Sequence, residues 1–63
     1  MPKLEQWFIS TVPNGETLIG YVYGHEKFED GKPIRTSTLR VINFEINIAH
    51  TQNTTYILGE KKV

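Results

Sequence analysis

Turn-forming residues break this chain at short intervals, and that rhythm constrains its fold more than any other feature. Pro2, Pro13 and Pro33 interleave with five glycines. No stretch of helical length carries a clean i, i+3, i+4, i+7 apolar pattern, the signature of an amphipathic helix. The side chains between the breaks are β-formers: seven Thr, seven aromatics, and frequent Ile and Val. Short extended runs bounded by turn residues read as strands.

Length and composition narrow the outcome further. The 63 residues suffice for one domain, 1–63, of a size that buries only about 60% of the surface its unfolded chain exposes. With no cysteine, neither a disulfide nor a thiolate metal site is available. Such a scaffold needs a well-packed core or association between copies, so a homo-oligomer is compatible with the sequence. Seven basic and seven acidic side chains balance, unlike the net basic character of electrostatically driven nucleic-acid binders. No apolar run approaches a membrane span, and Met1 to Gln6 lacks the basic and apolar regions of a signal peptide. The expected location is therefore the cytoplasm, with no membrane partner. Asn53-Thr54-Thr55 fits a glycosylation sequon but reads as a turn in that setting.

Five strands are expected. The first covers about Leu4 to Val12, and Val12-Pro13-Asn14-Gly15-Glu16 then forms a hairpin. Proline presets φ at its second position and glycine supplies φ > 0. The return strand covers Glu16 to Tyr23, with Leu18, Gly20 and Val22 placed inward and Ile19, Tyr21 and Tyr23 half-exposed; the opposite assignment stays open, because Tyr can bury its ring and keep its hydroxyl wet. Gly24 to Pro33 is a loop containing an Asp30-Gly31 turn, in which Phe28 serves as an anchor. The third strand covers Ile34 to about Phe44, with Leu39 and Val41 inward. Phe44 to Asn47 turns, with Asn47 suited to a left-handed conformation. Ile48 to Thr51 is the fourth strand, Gln52-Asn53 a tight turn, and Thr54 to Leu58 the fifth, with Tyr56 and Leu58 on one face. Residues 59–63 are expected to fray. The expected class is all-β: a five-stranded, strongly twisted antiparallel sheet or an SH3-like barrel, the barrel being preferred.

The residues Gly20, Val22, Gly24-His25, Phe28, Asp30-Gly31, Ile34, Thr36-Ser37, Thr51, Asn53-Thr54, Tyr56 and Leu58-Gly59 form a pattern over about two-thirds of the chain. It resembles a pattern found in small phage and prophage proteins. The resemblance implies a mobile-element origin. By analogy with other small phage proteins, it also implies action by binding a host protein, defence enzymes included.

Little in the sequence points to chemistry. The single Asp30, six Glu, His25 and His50 give no legible metal spacing. His25-Glu26 are neighbours whose side chains diverge on an extended chain. Ser10 and Ser37 lack a nucleophile elbow, and the glycines form no phosphate loop. We therefore expect no catalytic residues, no metal and no cofactor. The candidate contact residues are Tyr21, Tyr23, His25, Phe28, Arg35 and Arg40, with Trp7 if the first strand is an edge, since Tyr, Trp and Arg dominate interface centres. Trp7, Phe8, Phe44 and Tyr56 are expected to fill the core, although Trp7 and Phe8, as neighbours, must face opposite ways. The function expected is that of a non-enzymatic binding protein that inhibits or modulates a host protein, a defence system being one such target. The alternatives are a small nucleic-acid-binding barrel using Tyr21, Tyr23, Arg35 and Arg40, and a structural or assembly subunit.

Overall fold

The hairpin signal at Pro13-Asn14-Gly15 sets the architecture. In the computed structural model, which describes all residues from Met1 to Val63, β1 (Lys3–Val12) turns through Pro13-Asn14 into β2 (Gly15–Tyr23). Gly15 takes φ +136°, which side-chain-bearing residues rarely adopt. The remaining strands are β3 (Lys32–Arg35), β4 (Leu39–Asn43), β5 (Ile48–Thr51) and β6 (Thr55–Leu58). All six join one sheet in the order β3-β2-β1-β6-β5-β4. The all-β class is as expected, with six strands in place of five.

The count differs because the expected third strand changes partners halfway. Its first part pairs with β2 at one edge of the sheet, Ile34 opposite Gly20, and its second part pairs with β5 at the other edge, Ile42 opposite Ala49. Only Thr36, Ser37 and Thr38 separate the two, and four peptide steps span at most about 14 Å. The two edges must therefore lie close together, which rolls the sheet up on itself. Hydroxyls hold the break. Thr36 Oγ1 accepts from Leu18 N at 3.0 Å and donates to the Ser37 carbonyl. Ser37 Oγ donates to Thr51 Oγ1 at 3.1 Å and accepts from Asn53 N. These bonds tie the chain to β2 on one side and to the β5–β6 turn on the other.

The sheet is mixed, not antiparallel throughout. β1 and β6 run parallel, Leu4 opposite Leu58, with Gly59 N donating to the Leu4 carbonyl at 2.8 Å. Residues after Gly59, expected to fray, instead continue beside β1. Trp7 N donates to the Glu60 carbonyl at 3.3 Å and Lys62 N to the Trp7 carbonyl at 2.9 Å. Trp7 Nε1 donates to the Gly59 carbonyl, and the Glu5 carboxylate accepts from Glu60 N at 2.7 Å.

The core is Leu4, Trp7, Leu18, Val22, Ile34, Ala49, Tyr56 and Leu58, with Phe28, Leu39 and Ile42 packed against it. Leu4 and Trp7 sit three apart, which an unbroken strand would not place on one face. The ladder explains it: Glu5 opposes Tyr21 and Phe8 opposes Ile19, so Gln6 and Trp7 share the single partner Gly20. This is a β-bulge, and Gln6 adopts φ +52° within it. Gly20 is required by the same feature, since a Cβ there would lie 3.0 Å from the Glu5 carbonyl oxygen and 3.2 Å from Trp7 Cα.

A second register shift between Leu39 and Val41 corrects another expectation. Leu39 and Ile42 pack inward, whereas Val41, expected inside, is 56% exposed. Phe44 also departs from its expected core role. It lies in the β4–β5 turn, 62% exposed, stacked on Trp7 at 6.5 Å. Asn47 closes that turn with the expected left-handed φ of +55°.

Candidate binding surfaces on the sheet and at its mouth

Strand alternation on β2 sends Leu18 and Val22 into the core and turns Ile19, Tyr21 and Tyr23 outward. Residues directly opposite across a ladder share a face. Phe8, Ile19 and Arg35 therefore form one outer row across β1, β2 and β3. Glu5, Tyr21 and Pro33 form the next, and Lys3 with Tyr23 the third. Tyr21 is 45% exposed and Tyr23 42% exposed. Among these rows runs a cleft of about 540 Å³, bordered by Phe8, Ile19, Tyr21, Pro33 and Lys62.

The charges on this face are unevenly satisfied. Lys3 Nζ pairs with Glu5 at 3.0 Å, the sole ion pair of the chain. The Glu60 amide, then Lys3, holds the Glu5 carboxyl below its ordinary range. Lys62 Nζ sits 5.1 Å from the Phe8 ring centroid, a cation–π contact. Arg35 is exposed at the end of β3 beside Ile19. Arg35 and Lys62 thus flank one apolar row without a carboxylate partner.

A second concavity, of about 330 Å³, opens between the β2–β3 loop and the β5–β6 turn. His25, Phe28, Asn53, Thr54 and Tyr56 line it, and Arg35 borders it. His25 Nδ1 accepts from Lys27 N at 3.0 Å, which leaves the ring proton of the neutral imidazole on Nε2. The His25 ring packs 4.8 Å from Phe28 and 6.1 Å from Tyr56. Burial pushes the Tyr56 phenol above its ordinary value, so it stays protonated beneath the loop. Asp30 Oδ1 accepts from Gly24 N at 2.8 Å and fastens the loop's ends. Phe28 acts as the anchor the sequence pointed to, half-buried against the core.

The six candidate contact residues therefore divide. Tyr21, Tyr23 and Arg35 share the outer face by ladder register, but of the three only Tyr21 borders the cleft; His25 and Phe28 belong to the loop concavity, which Arg35 also borders. Arg40 lies exposed on β4 and borders neither. The residues that complete the outer cleft, Phe8, Ile19, Pro33 and Lys62, were not among them. Phe8 was expected in the core but faces outward, half-buried. Its alternation with Trp7, and that of Ile19 with Leu18, carried the signal for both. Lys62 had no sequence signal, because its place depends on the tail running beside β1. His50 sits apart, its Nδ1 3.0 Å from Thr55 Oγ1. No three His, Asp or Glu side chains converge as a metal site would require. No helix is long and apolar enough to cross a membrane. No family model, curated protein or solved structure matches the chain.

Proposed function

We propose that this chain is a non-enzymatic binding protein that docks on a partner protein through the outer face of β1, β2 and β3. One observation carries the reading. Tyr21, Phe8, Ile19 and Pro33 border a cleft on a solvent-facing sheet surface, with Tyr23 exposed in the row beyond, although the core on the opposite face is already filled. Aromatic side chains with an accessible ring and a wet hydroxyl supply much contact area at low entropic cost, as at interface centres. The resemblance to small phage and prophage proteins makes a bacterial host protein, defence enzymes among them, the expected partner, and the host cytoplasm the expected place of action. Nucleic-acid binding is the competing reading, since Tyr21, Tyr23 and Arg35 do share a face. It loses Arg40 and any larger concentration of cations.

Site-specific photocrosslinking in host cells tests the proposal. A crosslinking residue at Tyr21 is expected to capture one discrete protein, and the same residue at Val41 to capture none. Equal capture from both positions, or transfer to nucleic acid from Tyr21, contradicts it.

A further inference from the structure

We infer that the outer cleft accepts an extended acidic segment of its partner, with an acid–x–apolar–x–acid pattern. This rests on the docking reading above and adds the chemistry of the partner. Phe8, Ile19 and Arg35 lie in one row across three strands. Lys62 covers the Phe8 end, and Arg35 forms the other end. Adjacent strands are about 4.8 Å apart, so the row spans about 10 Å between backbones, and the two long cationic side chains extend its reach. An extended peptide places residues i, i+2 and i+4 on one face over about 13 Å. A central apolar side chain then enters the cleft between Phe8, Tyr21 and Pro33, while the outer two carboxylates meet Lys62 and Arg35.

Charge satisfaction selects this occupant over others. No carboxylate lines the cleft, and Glu5, in the row beside it, is already engaged by Lys3 and the Glu60 amide. A basic segment would meet Lys62 and Arg35, neither in an ion pair, against one unpaired carboxylate, the exposed Glu60 of the tail. A single-stranded nucleic acid would stack on the tyrosines but find two cations here in a chain of zero net charge. The Lys62 contact with Phe8 is exposed and readily exchanged for a carboxylate, because a cation–π contact in water is weak.

Amide chemical-shift titration of the intact chain provides the test. The probes are a short synthetic peptide with a central Glu-Ser-Leu-Ser-Glu, its Lys-Ser-Leu-Ser-Lys twin, and an oligothymidylate. The acidic peptide is expected to shift Phe8, Ile19, Tyr21, Arg35 and Lys62 saturably. Affinity should fall about tenfold in Arg35→Glu and similarly in Lys62→Glu, and should weaken with added salt. Lys62→Glu lies outside the six strands, so it keeps the test valid if Arg35→Glu fails to fold. Equal shifts from the lysine twin, tighter binding of the oligothymidylate at the same residues, or no shift from any probe overturns the inference. If Tyr21 crosslinking still captures a host protein in that last case, the docking reading stands and only the acidic chemistry falls.

Discussion

β1 and β2 are partners in one hairpin, yet they encode their two faces differently. From Leu18 to the end of β2 the alternation is unbroken: Leu18, Gly20 and Val22 face in, and Ile19, Tyr21 and Tyr23 face out. In β1 the alternation is interrupted once, so that Leu4 and Trp7 both reach the core while Phe8 joins Tyr21's side of the sheet. An uninterrupted strand ties every side chain to one register, whereas a bulge lets two short registers coexist in one strand. The outer face exists because these two devices coincide opposite Gly20.

The sharpest way to break this comparison is to remove one residue from each strand. Deleting Ile19 from β2 moves every later side chain to the wrong face, and we expect a chain that no longer folds cooperatively in urea. Deleting Gln6 from β1 removes the extra residue and leaves Leu4, Trp7 and Ile9 in simple alternation, so a cooperative transition should survive. The next effect in size is the contrast between faces. Leu18→Ala, in the core, is expected to cost about 2–5 kcal/mol by chemical denaturation. Tyr21→Ala, half-exposed on the outer face, should cost well under half of that while abolishing partner capture. Gly20→Ala should cost about 1–3 kcal/mol, because its Cβ meets backbone atoms of Glu5 and Trp7 that have little room to move.

The smallest effect concerns the tail that completes the outer cleft. The Glu60 amide and Lys3 stabilise the Glu5 carboxylate, so its folded pKa lies below the ordinary 4.5. A depressed carboxyl contributes stability above its unfolded pKa and loses it as pH falls through the folded value. Wild type and Glu5→Gln should therefore differ at neutral pH and converge on acidification below about 4.5. Amide exchange at Glu60 and Lys62 is the most sensitive measure.

The contrast also explains which parts of the fold are legible in the sequence. The span of β2, the β4–β5 turn closed by Asn47, and the Tyr56–Leu58 face were legible from local alternation and turn chemistry, although alternation alone left open which face of β2 turns inward. Trp7 with Leu4, and Ile42 in place of Val41, were not, because each depends on a bulge whose position is fixed by the partner strand. The exchange of partners at Thr36-Ser37-Thr38 was hidden for a related reason: an extended run looks the same whether it keeps one neighbour or moves to another. Tyr21, Tyr23 and Arg35 emerged as surface candidates from residue type and alternation. That Phe8, Pro33 and Lys62 sit beside them is a consequence of ladder register and of a tail held by long-range hydrogen bonds.

Trp7 is the only tryptophan in the chain, and fluorescence reports directly on the bulge that brings it into the core. Acrylamide quenching of the native protein should be weak and the emission blue-shifted, in keeping with an indole that is 4% exposed and donates to the Gly59 carbonyl. Strong quenching with emission like that of the urea-unfolded chain would mean that Trp7 faces solvent. The two-register account of β1, and the outer face built upon it, would then be wrong.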